Sequence, residues 1–169
     1  MSSELRVDRI LPVDGAPSDS GSNPLYRGAG GVVQVVYAQT RTQQSFTSSS
    51  YTDATGLFVD ITPKFSTSKM LISVSTTSQV SSHRARFDIH KSTTNSRLSG
   101  HSGDNNRDHG IVAFEGSNVN HAVHFTIMDI AGTTSSIRYK LQFNNTNGST
   151  TFVNASSNLG TITVQELSS

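Results

Sequence analysis

From Val32 onward, apolar and polar residues alternate with a period of two almost throughout, as in strands that bury one face. Val32-Val33-Gln34-Val35-Val36-Tyr37 reads as a buried opening strand, and Phe46 to Thr52 as a Ser/Thr-rich strand or edge. Leu57, Val59 and Ile61 alternate with Phe58 and Asp60, and Pro63 ends that run because proline cannot donate to a ladder. Met70, Ile72 and Val74 follow, then Ala85, Phe87 and Ile89 on one face, with Arg84, Arg86 and Asp88 on the other. Ile111-Val112-Ala113-Phe114, the run His121–Ile130, and Ile137, Tyr139, Leu141 and Phe143 come next. Phe152-Val153 and then Ile162, Val164 and Leu167 close the series. No stretch combines a helical period with caps. The spacers Ala131-Gly132-Thr133-Thr134 and Asn144-Asn145-Thr146-Asn147-Gly148 have turn chemistry.

The pattern predicts roughly eight to ten short strands in about 135 residues, the spacing of a sandwich or barrel. The expected fold is all-β, an antiparallel jelly-roll-like sandwich. An immunoglobulin-type sandwich is the alternative, without the Cys–Trp–Cys signature that would mark it.

Residues 1–31 differ. Ser3 to Ile10 alternates apolar and charged residues, and Pro12, Gly15, Pro17, Gly21 and Pro24 then lead to Gly28-Ala29-Gly30-Gly31. Proline fixes φ and removes donors while glycine adds freedom, so 1–31 reads as an extended arm with a Gly-rich hinge. The sandwich is assigned to 32–169. Leu5, Val7, Ile10 and Leu11 are the arm's candidate partner-binding residues, suited to adding an edge strand to a neighbouring subunit.

Composition narrows the class. Hydrophobic residues are 33% and charged residues 15% of the 169, with a net charge of +1. Low hydrophobicity with low net charge fits a thin two-layer β protein better than disorder. A modest core is commonly supplemented by an oligomer interface. There is no cysteine, so neither a disulfide nor a thiolate metal site is available. The apolar runs are too short for a spanning helix and residues 1–20 lack a signal-peptide core, so no membrane partner is expected. Near-zero net charge argues against a nucleic-acid partner.

Few residues stand in patterns that carry chemistry. His121 and His124 lie three apart in a strand and so face opposite ways, and an odd separation likewise divides His83 from His90. The densest polar cluster is Gly100–Gly110, where Asp104, Asn105, Asn106 and Asp108, with His101, form a candidate apical loop of hard oxygen donors. It lacks the EF-hand frame and carries Arg107, so no metal and no cofactor is expected. Carboxylates are scattered, and neither a nucleophile elbow nor a phosphate-binding glycine pattern occurs, so no enzyme is expected. Asn144, Asn147 and Asn154 begin matches to the glycosylation pattern that composition alone explains. The stripe Arg84, Arg86, Asp88 and His90 reads as a solvated face or one that meets an acidic neighbouring subunit.

The segment Ser3-Glu4-Leu5-Arg6-Val7-Asp8-Arg9-Ile10 resembles the short N-terminal segment of structural and fibre proteins of phages that infect cyanobacteria and marine bacteria. Val32–Val36, Gln44–Tyr51, Ile61–Ile72 and Gly160–Leu167 resemble a small β domain of the same viruses. The resemblance covers nearly the whole chain. It implies a virion structural protein on the outer surface of the particle, made in the host bacterial cytoplasm. The role implied is a trimeric head decoration (cement) protein seated on the major capsid protein or another virion subunit. The alternative is a short tail or neck fibre whose loops Asn95–Asp108 and Asn144–Thr150 would meet host glycan. Only four tyrosines are present for stacking on sugars, and no shaft is visible, which favours decoration.

Overall fold

A computed structural model describes residues 31–99, 111–116 and 118–168. The strands are β1 (Val32–Thr40), β2 (Gln44–Phe46), β3 (Thr52–Ile61), β4 (Lys69–Val80), β5 (Arg84–Lys91) and β6 (Ser96–Arg97). β7 (Val112–Glu115), β8 (Asn120–Ile130), β9 (Ile137–Asn145), β10 (Thr151–Val153) and β11 (Gly160–Leu167) complete the set. A single 3-10 turn, Ala155–Ser157, is the only helical element among the described residues.

All pairings are antiparallel. In the six-stranded sheet β1 pairs β11, β11 pairs β4, and β4 pairs β8, while β10 and β2 extend the β11 and β1 positions. In the five-stranded sheet the order is β3-β9-β5, with β6 and β7 sharing the far edge of β5. Successive strands cross repeatedly from one sheet to the other. The neighbours β1-β11-β4-β8 and β3-β9-β5-β7 therefore define the double-sheet jelly roll.

The period-two pattern is what builds the core. Leu57, Val59 and Ile61 from β3, and Met70, Ile72 and Val74 from β4, meet Phe87, Ile89, Tyr139, Leu141, Phe143, Ile162 and Val164 between the layers. Phe143 packs edge-on against Phe46 and is stacked near Phe87. The two sheets are also laced by polar groups. Lys91 Nζ lies 2.7 Å from Asp129 Oδ2, and the Tyr139 hydroxyl donates to the same oxygen at 2.7 Å. The buried Glu166 carboxylate accepts from Gln34 Nε2 and from the backbone N–H groups of Lys64 and Phe65, pinning the turn that Pro63 opens.

Three expectations change. β1 is an edge strand of its sheet rather than a buried one: Val32, Val35 and Tyr37 point outward. The stretch expected as one strand over Phe46–Thr52 is a segment between β2 and β3, tied down by Asn145 N–H to Ser48 O and Asn144 Nδ2 to Ser49 O. That segment, with Ser99 bonded to Asp88 and Arg97 stacked over Tyr51, covers part of the outer face of the five-stranded sheet. Arg86 and Asp88 are therefore buried, not solvated, at 4% and 0% exposure.

Candidate functional site: the outer face of the six-stranded sheet

Register places the outward side chains of this sheet in rows. At one end Val32, Leu167, Lys69 and Ile130 lie side by side across β1, β11, β4 and β8. The next row is Val35, Gln165, Leu71 and Met128, then Tyr37, Thr163, Ser73 and Thr126, then Gln39, Thr161, Ser75 and His124. Lys69 is the sole permanently charged side chain in these rows. Val35 is 51%, Tyr37 68% and Ile130 61% exposed, so the face is apolar apart from Lys69 at the Val32–Ile130 end and hydroxylated beyond. Ser73 Oγ and Thr126 Oγ1 are 3.1 Å apart, joining β4 and β8 across the hydroxylated part.

The size of this face fits a specific contact. Four strand positions at about 4.8 Å and a length of about 37 Å, from β8's 11 residues at ~3.4 Å each, give on the order of 700 Å². A standard protein interface takes about 800 Å² per partner. Natural sheets usually blunt exposed faces and edges with charge. Here the opposite sheet is the charged one: Arg138 holds Asp60 through two bonds of 2.8 and 2.7 Å, and Lys140 holds Asp53 at 2.7 Å. Burial raises the Asp53 pKa, but the bonds from Lys140 and Gln142 outweigh it and leave the carboxyl below its ordinary value. The Arg138 bonds likewise hold Asp60 down. Burial raises Asp88, against the bonds from Ser99 and the Ile89 N–H.

Several candidates from the sequence fall elsewhere. Leu5, Val7, Ile10 and Leu11 of the arm, and His101, Asp104, Asn105, Asn106 and Asp108 of the apical loop, lie outside the described residues. His124 points outward from β8 while His121 follows the inward phase of Val123, so the two occupy opposite faces as the spacing requires. Asn144 and Asn154 are 5% and 0% exposed, with side chains bonded to Ser49 O and Thr42 O, which removes both as glycan acceptors in the folded chain. Asn95, where the first of the two loops begins, sits by Ser92 at the Arg138 end of β9. The Asn144–Thr150 loop leaves the other end, its backbone held at Asn147 and Ser149 by Asn145 Oδ1.

One constellation that the sequence did not single out is His83, whose Nδ1 is 3.0 Å from both Ser82 Oγ and Ser149 Oγ. Its Nε2 lies 3.1 Å from Asn147 Nδ2, so the ring joins the turn at Ser82 to the turn at Asn147–Ser149, and which ring nitrogen carries the hydrogen decides whether it donates to the serines or accepts from them. Among the described residues no group of three or more His, Asp or Glu could hold a metal ion, and no helix is long and apolar enough to cross a membrane.

No family model matches the chain, and no curated protein matches it in sequence.

Proposed function

We propose that the chain is a structural interaction protein rather than an enzyme. In this reading it is a bacteriophage virion component that assembles as a homotrimer through the outer face of its six-stranded sheet. It serves as a head decoration (cement) protein on the major capsid protein. The observation that supports the assembly is the nearly uncharged outer face, with an exposed apolar row running from Val32 across to Ile130. The virion role rests on the resemblance of Ser3–Ile10 and of the β domain.

The work done is mechanical. A closed ring of three copies uses a heterologous contact, so the β1 end of one face meets a different part of its neighbour. Each trimer then presents three equivalent capsid contacts at once, and multivalency turns weak contacts into lasting ones. Strength added this way resists the pressure of packaged DNA without any chemical step.

The test is a double substitution, Val35→Glu with Met128→Glu. Both side chains are exposed, so the isolated fold should change by no more than about 0.5 kcal/mol per site. An unpaired carboxylate pressed into an interface costs several kcal/mol, so the ring should open. By sedimentation the wild-type particle should have three times the 18.1 kDa chain mass, and the variant one. In purified virions the copy number should be of the same order as that of the major capsid protein. A wild-type chain that is a monomer and does not bind capsids would end this proposal.

A further inference from the structure

The covered part of the five-stranded sheet carries a second, unrelated feature. Arg86 is 4% exposed, and a guanidinium stays charged at every physiological pH. Among the described residues it has neither an ion pair nor a hydrogen bond, and its Nε is buried without a partner. The one carboxylate on the same strand face, Asp88, is already occupied. Its Oδ1 accepts from the Ile89 and Ser99 N–H groups, and its Oδ2 accepts from Ser99 Oγ and faces Arg97 Nε at 3.9 Å.

Directly across the ladder from Arg86 stands Asn144. Its Nδ2 is committed to Ser49 O at 3.0 Å, and its Oδ1 is buried with no partner. Facing residues of an antiparallel pair stand about 5 Å apart at Cβ, so a buried cationic donor and a buried orphan acceptor sit side by side. Leaving a buried donor and a buried acceptor unpaired is costly, more so for the charged one, which is reason to expect a third party between them.

The chemistry of that third party follows from what is unsatisfied. Water would meet the acceptor and one N–H but leave the charge. A fully ionised anion such as sulfate or chloride would meet the charge but bring no proton for Asn144 Oδ1. An oxyanion that keeps an O–H meets both, with two oxygens on the guanidinium fork and the hydroxyl donating to the amide oxygen.

We propose that Arg86 and Asn144 form a binding site for a small protonated oxyanion of the hydrogen phosphate type. This site is independent of the trimer face and goes beyond the structural role.

The direct test follows the Arg86 Nε–Hε resonance of the full wild-type chain by NMR. Sodium phosphate is titrated in at neutral pH, with sulfate and chloride at matched ionic strength as comparisons. The expected result is a saturable shift with phosphate, at least tenfold tighter than with sulfate. Asn144→Val should erase that tenfold preference, and Arg86→Gln should abolish saturable binding by calorimetry. An unmoved wild-type resonance overturns the proposal. Equal responses to sulfate and phosphate overturn it as well. Both of these outcomes are read on the wild-type chain, so they stand even if a variant does not fold.

Discussion

Lys91→Met removes one corner of the network that ties β8 to the five-stranded sheet. Lys91 and Tyr139 are register partners on β5 and β9, both pointing inward, and both reach Asp129 Oδ2 at 2.7 Å. Lys91 Nζ also donates to the carbonyls of Ile130 and Ala131 at 2.7 and 3.1 Å. Without it, a carboxylate 18% exposed keeps one neutral donor and two carbonyls lose theirs. Breaking a buried pair from one side costs about 3–5 kcal/mol. At roughly 2–4 °C per kcal/mol for a chain of this size, Tm should fall by about 6–20 °C. Tyr139→Phe leaves the ion pair whole and should cost about 1.5–3 kcal/mol, the value of a bond to a charged group. Replacing both charges, Lys91→Met with Asp129→Leu, should recover most of the loss because no charge is stranded. The internal control is Arg138→Gln. Its pair with Asp60 has the same 2.7 Å separation but side chains 49% and 46% exposed, so it should cost under about 1 kcal/mol. Urea unfolding at neutral pH, read by circular dichroism, measures all four. If Lys91→Met costs no more than Arg138→Gln, burial is not what gives this network its strength and the reasoning is wrong.

Further outcomes follow from other buried groups. Burial and then the Asp88 charge push Tyr51 up to about 12, against opposing effects of Arg97 and Arg86, and burial and Asp129 push Tyr139 in the same direction. A folded pKa above the unfolded value of about 10 stabilises below pH ~10 and is lost as pH rises through the folded value. Urea midpoints should therefore hold to pH ~10 and then fall, with tyrosinate absorbance from these two residues appearing late; ionisation near 10 in the folded chain would contradict this. Glu166→Ala strands the Lys64 and Phe65 N–H groups and Gln34. It should cost about 2–4 kcal/mol and speed amide exchange at residues 64–66, with little change at residues 144–150 at the other end of the sandwich. Gly160→Ala would put a Cβ 2.1 Å from Asn154 Oδ1, an atom held by Thr76 Oγ1 at 2.7 Å, so it should destabilise by about 1–3 kcal/mol, whereas Gly132→Ala meets only Ile130 O at 4.0 Å and is strained by its φ of +72° alone.

The strands were legible because burying one face imposes period two, and Leu57–Ile61, Met70–Val74 and Ile137–Phe143 keep it without interruption. What alternation cannot convey is which strand ends up at an edge. Val32–Tyr37 is apolar on both faces, which reads as burial in two directions, yet its outward half is the exposed row of the candidate interface. The same blindness hid the burial of Arg86 and Asp88. Their phase was right, but whether a polar face meets water depends on the segment before Thr52 folding back over it, a contact between residues about forty to a hundred apart in sequence. The His83 cluster joins two turns more than sixty residues apart and leaves no trace in any local spacing.

The position of β11 sets a condition on how the chain can be made. This strand, late in the chain at Gly160–Leu167, is not at a margin but lies between β1 and β4. While a ribosome is still short of Gly160, β1 has no neighbour along its length, and β4 can pair only with β8 and the three residues of β10. The six-stranded sheet therefore closes after translation has passed its last strand, with β1 waiting for more than a hundred residues. Pairing across that separation is slow to form. A chain terminated before residue 160 would leave β1 unpaired and one edge of β4 open along Lys69–Ser75, a raw edge that invites aggregation.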